Sequence, residues 1–225
     1  MICSIHQPNY IPYIWLFHKI KQSDIFVFYD TAQYTKGDYH NRNTIKWSNG
    51  GILLSLPVNV RLGQSIKETT FDSRILQKHL KTIKESYKKA QFFKENEAFL
   101  EEIYSYDKNN LSEFNIHTII QISKRLWLQT KFLVLSELIE NLTSQSTDAL
   151  VDVCNLVGAD KYISWAGWRS YIEENKFENA LIKLHYQDFH HPTYTQLWGD
   201  FIPYMSVLDL LLNEGVDRSY EIIGG

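Results

Sequence analysis

His6-Gln7-Pro8-Asn9-Tyr10 sets an imidazole, two carboxamides and a phenol directly after the short β-prone run of residues 2–5. An imidazole gives or takes a proton near neutral pH, and carboxamides supply the donors and acceptors that orient a polar substrate. A second cluster follows the apolar run of residues 25–29: Asp30, Gln33, Tyr34 and Lys36, then His40, Asn41, Arg42, Asn43 and Lys46. Arg42 brings a planar fork suited to phosphate or carboxylate, and Lys36 and Lys46 bring point charges, so this cluster reads as an anion site. A third cluster gathers His190, His191, Pro192, Tyr194, Gln196, Trp198 and Asp200 near the C-terminus. Its paired histidines invite a metal, but no carboxylate, cysteine or third histidine stands at a regular offset. A pocket wall is therefore expected, with no metal. The first two clusters also have plainer readings: local bracing for the first, and for the second solvation of its lysines and an ordinary surface pair of Asp30 with Arg42.

These side chains need a scaffold. Residues 2–5 and 25–29 read as strands, and between them Pro12 suits the first turn of a helix whose apolar face carries Ile14, Leu16, Phe17 and Ile20. Strand, helix and strand form an N-terminal βαβ unit, which puts His6 at a strand's carboxyl end, where open α/β sheets bind ligands. Asn49-Gly50-Gly51 marks a hairpin turn. A helical segment at about 74–128 follows. Its first helix carries Leu76, Leu80, Ile83 and Tyr87, and its second starts at Ser112 as N-cap. Residues 131–138 read as a strand, 147–157 as a helix stopped by Gly158, and 161–165 as a strand. A helix over 168–175, a strand over 181–186 and a last helix from Ser206-x-x-Asp209 to about Gly215 complete the pattern. The chain is expected to be one α/β domain over 1–225, with a mostly parallel sheet and flanking helices.

Composition removes several function classes. The chain has 225 residues, 44% of them hydrophobic, which is enough for one substantial core. A net charge of −3 argues against a nucleic-acid partner. No long uncharged apolar run and no signal peptide are found, so no membrane span is expected and the cytoplasm is the expected compartment. Cys3 and Cys154 form no CxxC pair, and Cys154 falls on a helix's apolar face as a core residue. P-loop, dinucleotide-fingerprint and nucleophile-elbow patterns do not occur. The 14% aromatic share suits pocket walls that are dry on one side and polar on the other.

The blocks "IHQPNYIPYIWLFHKI", "SDIFVFYDTAQYTKGDYHNRNTIK" and "HPTYTQLWGDFIPYMSVLDLLLNEG", with "LPV" and "GADKYIS" between them, resemble the WbqC-like protein family nearly end to end. That family is associated with gene clusters for O-antigen, the lipopolysaccharide outer chain, and other surface polysaccharides. The resemblance therefore implies work on an activated sugar. It carries over His6, Gln7, Pro8, Asn9 and Tyr10, then Asp30, Gln33, Lys36, Asn41, Arg42, Asn43 and Lys46, then His191, Pro192, Tyr194, Gln196 and Asp209. Tyr13 and Trp15 depart from the family's tryptophan and small residue. In layout the first strand, loop and helix are also similar to the HxGH element of nucleotidyltransferases and pantothenate synthetase. Here Asn9 replaces the second histidine, and Pro8 the glycine that lets phosphate approach the backbone.

The resemblance implies a transferase acting on a nucleotide-linked amino sugar, such as acyl or aminoacyl transfer to its amine. His6, with Gln7 or Asn9 and Asp30, would do the chemistry. Arg42, Lys36 and Lys46 would hold the diphosphate, and Tyr10, Gln33, Asn41, Asn43, His191, Tyr194 and Gln196 would line the substrate. No cofactor is expected, and the partners are the nucleotide sugar and an acyl donor. ATP-dependent nucleotidyl transfer or amide ligation is the alternative, and a non-catalytic glycan- or partner-binding module is a third. Geometrically, His6, Asn9, Asp30, Lys36 and Arg42 are expected to share one cleft closed by Tyr194 or Gln196.

Overall fold

Ile2–His6 (β1) leads through Ile14–Lys21 (α1) to Ile25–Phe28 (β2), which pairs with β1 in parallel from Cys3↔Ile25 to His6↔Phe28. This is the expected βαβ unit. Pro12 lies just ahead of the helix, with Tyr13 as N-cap. The computed structural model describes residues 1–140 and 142–224. Lys131–Val134 (β7), Lys161–Trp165 (β8) and Lys183–Gln187 (β9) complete a five-stranded parallel sheet in the order β7-β2-β1-β8-β9. β2, Ile-Phe-Val-Phe, is buried throughout, as a strand covered on both faces requires, whereas in the edge strand β9 exposed residues alternate with more buried ones.

Between β2 and β7 the chain leaves the sheet. Arg42–Trp47 (β3) and Gly50–Ser55 (β4) form the expected hairpin, with Trp47 opposite Gly50, so the turn lies at Ser48 and Asn49, one residue earlier than expected. A small second hairpin, Val58–Asn59 (β5) with Thr70–Phe71 (β6), follows. The helical middle contains Ile75–Tyr87 (α2), Phe93–Tyr104 (α3) and Leu111–Arg125 (α4). The α4 cap is Asn110, whose Oδ1 accepts the Glu113 N–H at 3.0 Å, rather than Ser112. These helices join α1 and the last helix, Val207–Gly224 (α8), over one sheet face. Residues 14–20 of α1 are all buried there, since the helix is covered on both sides.

The other face is covered by Ser146–Val157 (α6) and Glu174–Asn179 (α7), over Cys3, Ile5, Ile25, Val27 and Tyr162. Gly158 ends α6 in the left-handed conformation, φ +71°, as expected. Three expectations are corrected. After Val134 the chain turns into a short helix, Leu135–Leu138 (α5), instead of extending the strand. Residues 168–173 are a 3₁₀ turn and loop, and helix begins only at Glu174. The last helix kinks at Gly215, φ +74°, where a Cβ would come within 2.7 Å of the Phe92 ring, and then runs on to Gly224.

Candidate active site

The chain moves outward from β1 to β2 and β7, then returns to place β8 and β9 on β1's other side. The strand order therefore reverses between β1 and β8, which is the switch point where open α/β sheets hold ligands. Register opens the crevice further. β1 and β8 pair only as far as Ser4↔Ile163, whereas β1 stays with β2 to His6 and β8 stays with β9 to Trp165. A cavity of about 380 Å³ occupies the gap. Ile5, His6 and Gln7 line it from β1, Ser164 and Trp165 from β8, and Lys19 from α1. The start of α6 closes one side with Ser146, Thr147 and Leu150, and the segment after β8 brings Trp168 and Tyr171 to the rim.

His6 and Lys19 set the chemistry of this space. His6 Nδ1 lies 2.8 Å from the Gln7 carbonyl, which can only accept, so Nδ1 carries the proton and Nε2 keeps its lone pair. Burial, then the nearby Lys19 charge, lower the imidazole to about 3, so it is a neutral acceptor at physiological pH. The Trp15 ring meets it edge to face at 4.8 Å. Lys19 is buried; its Nζ donates to the Ile5 carbonyl at 3.0 Å, and burial draws its pKa down to about 7. Ile5 leaves the β1–β8 ladder, so its carbonyl is free to receive this ammonium. Beneath them Cys3 and Cys154 are free thiols in the apolar layer. Contact with Cys3 and burial push the Cys154 thiol up, the state of an inert core residue.

The residues expected to share one cleft are divided by the structure. His6 and Gln7 line the cavity; Asn9, Asp30, Lys36, Arg42, Tyr194 and Gln196 are not among its lining residues. Most of the first two clusters brace each other. His40 Nε2 donates to Gln7 Oε1 at 2.8 Å, with Nδ1 accepting the Thr35 N–H at 3.4 Å. The Tyr10 hydroxyl joins His79 at 2.7 Å and Tyr104 at 3.0 Å. Asn43 Nδ2 holds the Ile11 carbonyl at 2.8 Å, and Asn41 joins the Tyr34 hydroxyl at 2.9 Å to the Leu56 carbonyl at 2.8 Å. Asn115 from α4 pins the Pro8 and His40 carbonyls at 2.9 and 2.7 Å. Asn9 is buried, and its Oδ1 has no partner among the described residues.

The charged members are likewise committed. Asp30 accepts from the Ser136 N–H and hydroxyl at 3.1 and 2.6 Å, capping the turn after β7. Arg42 donates to the Gly37 carbonyl, and the buried Lys46 to the Gly199 and Asp200 carbonyls. Gln33 and Lys36 are exposed, with Gln33 bridging Ser65. Tyr194 and Gln196 converge at 2.8 and 2.7 Å on buried Asp209, which also accepts from Tyr87 at 2.8 Å. His191 uses both ring nitrogens, on the Pro192 carbonyl at 2.9 Å and the Tyr204 N–H at 3.0 Å. No group of three or more metal-ligating side chains is assembled among the described residues.

Lys19 and the β8 rim escaped the sequence reading. The stripe of Ile14, Phe17 and Ile20 suggested one buried face, while Trp15 and Lys19, four apart, mark a second that turns to the sheet's carboxyl edge. Ser164 and Trp165 end a strand that was recognised, and the same carboxyl-end argument applied to His6 reaches them too.

Comparison with known proteins agrees on the relationship. Over 219 residues, 95% of this chain and 94% of the other, the sequence is 35% identical to "Uncharacterized protein Rv1507c" of Mycobacterium tuberculosis. No solved structure matches significantly. The model of the WbqC-like protein family matches residues 7–221. The chain belongs to the WbqC-like protein family.

Proposed function

We propose that the protein is a transferase acting on the amine of a nucleotide-linked amino sugar, with its chemistry in the β1–β8 crevice. The observation that carries this reading is His6: a neutral imidazole with a free Nε2, facing an aromatic-walled cavity at the switch point. An amine that attacks an acyl group must shed a proton, and Nε2 can accept it, as a weaker base than a free imidazole while burial holds its pKa down. Gln7 turns its oxygen to His40, which leaves its amide N–H groups to face the acyl oxygen as charge develops. Trp165, Trp168 and Tyr171 at the rim offer ring faces to a sugar or base. The surface-polysaccharide association of the family supplies the substrate class.

His6→Ala tests the reading with a panel of nucleotide-linked amino sugars and acyl donors. Turnover should fall by roughly 10²-fold or more, the usual scale for a positioned base, with an unchanged far-UV spectrum. Full activity in the variant defeats it. One feature favours a second reading, ATP-dependent amide ligation: a parallel sheet whose order reverses beside β1 is a frequent nucleotide-binding layout. Pyrophosphate release coupled to amide formation would select that reaction over direct transfer.

A further inference from the structure

The cavity between β1 and β8 contains a cation and no anion. Among the described residues its lining includes Lys19 and no aspartate or glutamate. Lys19 is 2% exposed, and its ammonium is met by the neutral Ile5 carbonyl. A buried charge answered only by a dipole is costly, and a ligand of opposite charge removes that cost. The groups around Lys19 do not supply the charge. His6 on β1 is neutral, Cys3 lies beside it, the Cys154 thiol on α6 is held protonated, and Tyr162 on β8 presents its ring 5.9 Å from Nζ. Asp148 on α6 and Glu173 just before α7 pair with Lys176 at 2.9 and 2.8 Å.

The start of α6 borders the same space. Ser146, Thr147 and Leu150 line the cavity from the beginning of α6, a helix of 12 residues. First-turn N–H groups lack intrahelical acceptors and carry the positive end of the helix dipole. Thr147 Oγ1 accepts the Glu173 N–H at 3.1 Å, which fixes the turn in place.

We propose that this cavity is a phosphoryl-binding subsite, where Lys19 and the first turn of α6 hold a phosphate of the activated substrate. The inference rests on the transfer reading for its ligand class, and it moves the phosphate anchor from Arg42, Lys36 and Lys46 to Lys19. Nucleotide sugars and ATP both carry the required group.

Titration calorimetry of the full chain with inorganic pyrophosphate tests the subsite, comparing wild type with Lys19→Met. Wild type should bind, and the variant should lose at least about tenfold in affinity, the scale of a charge-assisted hydrogen bond. If Lys19→Met does not fold, sulfate titrated into wild type at about pH 6 and about pH 9 decides, because sulfate does not titrate there while Lys19, near 7, does. Affinity should then fall at least about tenfold at the higher pH, for the same lost interaction. Pyrophosphate bound equally by both proteins, or by neither, overturns the subsite, as does pH-independent sulfate binding. Displacement of pyrophosphate by a UDP-linked amino sugar or by ATP identifies the source of the phosphate. Full turnover in His6→Ala would defeat the transfer reading and leave this subsite standing.

Discussion

Burial holds His6 near 3, so between that value and its ordinary 6.5 the unfolded chain binds a proton that the folded chain does not. Stability therefore rises with pH across this window and is lost as the solution is acidified through it. His6→Gln, which cannot titrate, should flatten the dependence; urea midpoints from about pH 4 to about pH 6.5 measure it. An unchanged pH slope in the variant would mean that His6 titrates in the folded protein as it does in the unfolded chain, so that burial does not hold the imidazole neutral across this window. Lys19 has the same sign at higher pH: lowered to about 7, it adds stability as pH rises from there toward its ordinary value. Neither residue has a hydrogen-bonded carboxylate among the described residues, and both line the cavity, whereas Asp30, Arg42, Lys46 and Asp209 do not.

The loop between β1 and α1 is held by other elements. Asn115 on α4 reaches two of its neighbouring carbonyls, on Pro8 and His40, through one buried amide nitrogen. Asn115→Ala leaves those carbonyls without that donor, and a buried polar group left unsatisfied costs about 1–3 kcal/mol. The expected outcome is a lower urea midpoint together with reduced turnover, since the loop that aims His6 is loosened. A stability loss with unchanged turnover would show that the brace does not position the base. Elements with strong local signals were legible in the sequence: the βαβ unit, α6 with its Gly158 cap and β8 all follow from short-range periodicity and stop residues. Elements decided by tertiary contact were not. The last helix bends at Gly215, where the Phe92 ring occupies the space of a Cβ, and resumes beyond it, and the stretch after Trp165 stays irregular although its residues can form a helix. The polar clusters were recognised as polar, but their division into a cavity wall and a brace depends on partners as distant in sequence as Asn115 and His79.

For the whole molecule, alternation of strands and helices announced a parallel sheet, while the order β7-β2-β1-β8-β9 follows from long connections that carry no local signal. That order decides where the site lies. It puts β8 beside β1 and sends the hairpin bearing Arg42 and Lys46 out of the sheet, so the expected single cleft gives way to a crevice walled by residues far apart in sequence. No helix among the described residues is long and apolar enough to cross a membrane. Under the transfer reading, substrate is held in the β1–β8 crevice and not over the basic cluster of the second strand's end. Amide hydrogen exchange with and without a saturating nucleotide-linked amino sugar tests it most directly, since exchange reports local opening segment by segment. Slower exchange is expected at the end of β1, at the start of α6 and through residues 164–172, with residues 36–46 unchanged. Protection confined to residues 36–46 would contradict it.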